Sequence, residues 1–207
     1  MLIDSKIKDE RWKIMNDQIT KTYGIKKLSV KRQVFATIGA IAVAVVLPQL
    51  FHVVGMVSNM GTALGETFLP MHLPILLVGL IAGPYAGAIA GLLSPLVSFG
   101  LTAMPGPAML PFMMIELCMY GLFAGLLRKT KMPTIAKVLL AQVGGRAVRA
   151  GAILASVYLL GNTAIHTAVI WNSIIAGIPG LILQWILLPL LVYRIECGGN
   201  YETGVHE

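Results

Sequence analysis

A bundle of six membrane-spanning α-helices is the fold this sequence predicts, and three observations predict it. Hydrophobic residues make up 57% of the 207 and charged residues only 12%, about half the roughly 25% charged share of a soluble domain. Apolar runs recur at 34–54, 69–83, 85–103, 109–127, 134–160 and 168–193. The cations are segregated: nine of the sixteen Lys and Arg precede Val34, and none falls between Gln33 and Arg128.

Crossing the hydrocarbon takes about 20 apolar residues, so the second and third runs are short and could be one helix broken at Gly83-Pro84 or two helices joined there. Lys and Arg prefer the cytoplasmic side. The N-terminal segment and the loop holding Arg128, Lys129, Lys131 and Lys137 are both basic, so an even number of spans must separate them. Four spans (34–54, 70–83, 85–103, 109–127) satisfy that rule and three do not. Two more runs return the chain inside near Arg194. The expected organisation is a cytosolic segment over 1–33, a six-helix membrane domain over 34–193 and a cytosolic tail over 194–207, with both termini cytoplasmic. Residues 1–33 lack the small-residue cleavage site of a signal peptide.

The outward loops then fall at about 55–69, 104–108 and 161–167. They contain no Lys or Arg but hold Asn59, Glu66, Pro105, Pro107, Asn162 and His166. Ordered gating loops would need such residues, and plain turn chemistry explains them equally well.

Several function classes are excluded or unsupported. A formal charge of +7 does not imply nucleic acid, because the cations sit at loops rather than over a folded surface. No Gly-Lys phosphate loop is present, so the chain is no ATPase by itself. Nucleophile-elbow and paired-His metalloprotease motifs are absent too. Cys118 and Cys197, one in an apolar run and one in the tail, suggest no disulfide. His52, His72, His166 and His206 are too scattered for a metal site, and no cofactor motif appears.

Two patterns of small residues stand out. Ala36, Ala40 and Ala44 share one face of the first helix, where small side chains let another helix approach closely; that helix could belong to a partner or to the same bundle. Gly79, Gly83, Gly87 and Gly91 have the same spacing and imply tight packing at the turn between the second and third runs.

Only Glu116, Arg146 and Arg149 lie deep in predicted spans. Ionisable groups there are costly and by default pair or line a cavity. At about 1.5 Å per residue they lie roughly 10, 20 and 16 Å below the outer ends of their helices. Arg146 and Arg149 share a face, and Tyr120 is one turn below Glu116. Trp171 and Asn172, near the outer end of the sixth run, could reach the same region, although Trp171 could instead anchor at the interface. His72 begins the second run. The functional reading is a polar pocket; the alternative is a structural ion pair.

In order along the chain, Ala36-x-x-x-Ala40, Pro70-Met-His-Leu-Pro-Ile-Leu-Leu-Val-Gly-Leu, Gly83-Pro-Tyr-Ala-Gly-Ala-Ile-Ala-Gly91 and Met113-Met-Ile-Glu-Leu-Cys-Met-Tyr-Gly-Leu-Phe-Ala-Gly125 resemble the substrate-binding S components of energy-coupling factor (ECF) vitamin transporters. The resemblance covers about 34–193. It implies a subunit of a bacterial-type plasma membrane that binds a small vitamin-like molecule from outside, while a transmembrane scaffold subunit and two cytosolic ATPases supply energy. It also implies that the alanine face of the first helix meets the scaffold and that the whole subunit topples in the bilayer. A pocket with one Glu, two Arg and the rings of Tyr120 and Trp171 points first to a pyridoxine- or hydroxymethylpyrimidine-like compound and next to pantothenate. The alternative is a self-sufficient secondary carrier or channel, which commonly carries internal repeats; none is evident between 34–103 and 109–193.

Overall fold

The computed structural model describes residues 28–61 and 63–198; the expected cytosolic segment up to residue 27 and the tail from 199 lie outside them. Among the described residues the elements are all helical: α1 (Val30–Val57), α2 (Ala63–Phe68), α3 (His72–Ala82), α4 (Pro84–Thr102), α5 (Leu110–Leu127), α6 (Thr134–Tyr158), α7 (Ala168–Ala176) and α8 (Ile178–Gly198). They supply six helical spans long and apolar enough to cross a membrane, with α2 and α3 together making the second. Phe35, Val46, Leu50, Val143 and Ile186 are exposed, a surface that suits lipid rather than water.

The short second run has a physical explanation. Its span starts earlier than the apolar count suggests, because α2 folds part of the expected 55–69 loop into helix and the chain then breaks at 69–71. Leu69 takes a positive φ of 49°, and its carbonyl accepts from the His72 N–H at 3.0 Å and from Gln184 Nε2 at 3.3 Å. Gln142 Nε2 donates to Gln184 Oε1 at 2.8 Å, and Trp185 Nε1 donates to Gln142 Oε1 at 2.7 Å. A broken backbone inside hydrocarbon is tolerated only where its polar groups find protein partners, and this chain from α6 and α8 provides them. The sixth run is likewise divided, at Gly177, into α7 and the membrane-crossing α8.

Helices α3, α4 and α5 form the densest packing. A Cβ on Gly87 would collide with the Gly121 backbone, and one on Gly121 with Gly87. The glycine row therefore brings α4 and α3 onto α5, and only Gly83, at φ 106°, serves the turn itself. Pro84 follows as the first residue of α4, where its missing N–H costs nothing.

The alanine row of α1, expected to face a partner, packs in part against its own bundle. Ala44 is fully buried and Ala40 nearly so, both within the main apolar core, with Ala36 packed at its edge. The row binds α1 to its own bundle, and the face left open carries Phe35, Ile38, Val43, Val46 and Leu50. Of the three alanines only Ala36 keeps appreciable surface.

Candidate functional site

At the bundle end away from the Gly83-Pro84 turn, the helices part around a cavity of about 500 Å³, within the usual range for small-ligand sites of about 300–1,000 Å³. The α2–α3 break contributes Leu69 to His72, α1 contributes Pro48 and His52, α7 contributes Asn172 and Ser173, and the 104–106 loop closes one side. That loop includes a cis Met104–Pro105 bond.

The charged groups converge from α5 and α6. Glu116 is 1% exposed. Arg149 Nη1 donates to Glu116 Oε2 at 2.9 Å and lies 3.3 Å from Ser173 Oγ. Arg146 Nε is 3.7 Å from Glu116 Oε1 and donates to the Tyr120 hydroxyl at 2.9 Å. Tyr120 in turn donates to Glu116 Oε1 at 3.1 Å. Spacings of four on α5 and three on α6 place each pair on one helical face, so a single carboxylate holds two guanidiniums. A Cβ at Gly177 would lie 3.1 Å from Arg146 Nη2, so this glycine leaves the room that the arginine occupies.

Of the residues singled out from sequence, Glu116, Arg146, Arg149, His72 and Asn172 all line this cavity. Tyr120 does not: it is fully buried behind the charged groups, with the His72 ring edge-on at a centroid distance of 5.3 Å. Trp171 is 68% exposed and is not part of the lining, because one helical step from Asn172 turns it about 100° away. Neither aromatic ring therefore offers a stacking face to the cavity.

Sequence reasoning missed Ser173, His52, Met113 and Gly177. His52 carried a usable signal, since a polar ring in an apolar run follows the same logic that exposed Glu116. Ser173 carried none, because a serine in a membrane helix can satisfy itself on its own backbone, as Ser173 Oγ does with the Ile170 carbonyl at 3.0 Å. Among the described residues, four buried nitrogens of the site have no hydrogen-bond partner: His52 Nδ1, His72 Nδ1, Arg146 Nη1 and Arg149 Nε.

A family model described as the substrate-specific component of ECF transporters matches residues 34–192. No curated protein and no solved structure matches the chain.

Proposed function

Because the chain belongs to the family of ECF transporter substrate-specific components, we propose that the cavity between α1, α3, α5, α6 and α7 is where it captures a water-soluble vitamin or vitamin precursor from outside the cell. Family membership makes it a multi-pass plasma-membrane protein and a binding subunit rather than an enzyme, working with an ECF scaffold and ATPase modules. The observation that carries the site is the position of the charges. Three ionisable groups in neighbouring spans would be met by pairing alone if they served only stability, yet these pair and also border a cavity open on one side.

Orientation follows from charge. Arg128, Lys129 and Lys131 lie in the α5–α6 connection at the end opposite the cavity, which would be the cytoplasmic end. The cavity then faces outward, as capture requires.

Pyridoxine- or hydroxymethylpyrimidine-like compounds were favoured by the rings of Tyr120 and Trp171. With both rings directed elsewhere that argument lapses, and pantothenate gains relative to them. Purification of the full chain from cells expressing the whole transporter tests the class. The expected result is co-purification of the scaffold and two ATPases, with vitamin uptake lost when the ATPases are inactivated. Uptake that persists without them would return the chain to the secondary-carrier alternative.

A further inference from the structure

We infer that the captured compound is a monoanion, held through a carboxylate between Arg146 and the start of α3. The inference rests on the reading of the cavity as the capture site and narrows the chemistry of what enters it.

Charge count is the first support. Two guanidiniums face one carboxylate, Glu116, so the paired set carries a formal charge of +1. The other titratable groups of the lining are His52, His72 and Glu66. Glu66 lines the same cavity but is exposed, so its charge is screened and offsets the paired set less than a buried carboxylate would. An uncompensated cation within a membrane span is costly, and a bound monoanion would offset it. A doubly charged phosphate ester would overshoot and leave a net negative charge, and a cationic ring would add to the excess.

Unused donors are the second support. Glu116 and Tyr120 occupy Arg146 Nε, yet Arg146 Nη1 is buried and unpartnered. Buried guanidinium N–H groups are rarely left unsatisfied, and a carboxylate is the planar acceptor that their geometry suits. His72, only 4% exposed, lines the same cavity with an unpartnered Nδ1. It is the first residue of α3, an 11-residue helix, and the N-terminal turn of a helix carries partial positive charge. Arg146 and the α3 terminus thus present like potential to one cavity from different elements.

The remaining lining describes the rest of the compound. Met104, Met109, Met113 and Val169 are apolar, and Ser98 and Asn172 are polar but uncharged. Among the described residues, no Phe, Tyr or Trp lines the cavity. That set suits a small, flexible, hydroxyl- or amide-bearing acid better than a flat ring needing a stacking partner.

The test is calorimetric titration of the full chain in lipid nanodiscs with three matched pairs: pantothenate and pantothenol, nicotinate and nicotinamide, 4-pyridoxate and pyridoxine. The expected result is that a carboxylate binds and its neutral partner binds at least about tenfold more weakly, the loss of one charge-assisted contact. Arg146→Gln should erase that preference and Arg146→Lys should restore part of it, with melting temperatures measured on the same samples to show that each variant is folded. Tighter binding of a neutral member than of its carboxylate overturns the inference and leaves the capture reading standing. A folded Arg146→Gln variant that keeps the full carboxylate preference does the same. Binding of none of the six overturns the inference for these carboxylates, and co-purification with the scaffold and ATPases then decides the capture reading separately.

Discussion

Near the Gly83-Pro84 turn, α3, α4 and α5 touch backbone to backbone through Gly79, Gly87, Gly91 and Gly121. Toward the other end these helices part, and the gap is bordered by Glu116, Arg146, Arg149 and His72. The two regions share a solvent and have opposite tolerances. With lipid outside, helices gain little from burying apolar surface against each other, and close approach with good packing has to hold them. The glycine region should therefore be intolerant of added volume and indifferent to charge it does not contain. Around the cavity the reverse is expected: space is available, and what cannot be spared is the balance of polar partners.

Gly121→Leu should produce the largest effect. Its Cβ would already meet the Gly87 backbone, and backbone cannot move aside as a flexible side chain can. The cost should exceed the roughly 1–3 kcal/mol typical of overpacking, so size-exclusion profiles in detergent should show aggregate instead of a monodisperse peak. A sharp peak with parental melting temperature would mean that the glycine contact is dispensable.

Glu116→Gln comes next. It keeps the shape but leaves Arg146 and Arg149 as two partly buried cations without their shared carboxylate. Breaking a buried pair costs about 3–5 kcal/mol, and the melting temperature in detergent should drop accordingly. An unchanged melting temperature would show that solvent reaches these groups freely.

Gln184→Leu should cost less, about 1–3 kcal/mol, because it strips one hydrogen bond from the Leu69 carbonyl and one from Gln142. Since Leu69 belongs to the break that positions His72, substrate affinity should fall several-fold as well. Loss of stability with full affinity would separate the break from the cavity. Trp171→Ala should change least: its ring is largely exposed, and stability should stay within about 0.5 kcal/mol, with binding unaltered.

These contrasts also explain what could be read from the chain. Six spans were legible because length and Lys/Arg placement are constraints imposed by the bilayer itself. Glu116, Arg146 and Arg149 were legible because a charge in hydrocarbon demands a reason. Tyr120 was correctly drawn to the same neighbourhood, one turn from Glu116, but periodicity could not say that it would sit behind the charges rather than beside the cavity. The break at Leu69 was hidden because Gln142, Gln184 and Trp185, which sustain it, lie more than 70 residues away along the chain. The direction of the alanine row was undecidable for a related reason: small residues favour any close helix, and whether it belongs to the same bundle or to a partner depends on tertiary packing.

The central claim is that substrate occupies the cavity, and filling it is the most direct trial. Met113 is partly buried and lines the cavity, so Met113→Trp would add bulk where space exists, unlike Gly121→Leu. Vitamin binding and melting temperature should be measured on the same purified sample. Affinity should fall by at least about tenfold, more than 1.4 kcal/mol, with a melting temperature close to the parent's. A folded Met113→Trp variant that binds its vitamin as tightly as the parent would contradict the claim and place the substrate elsewhere in the bundle.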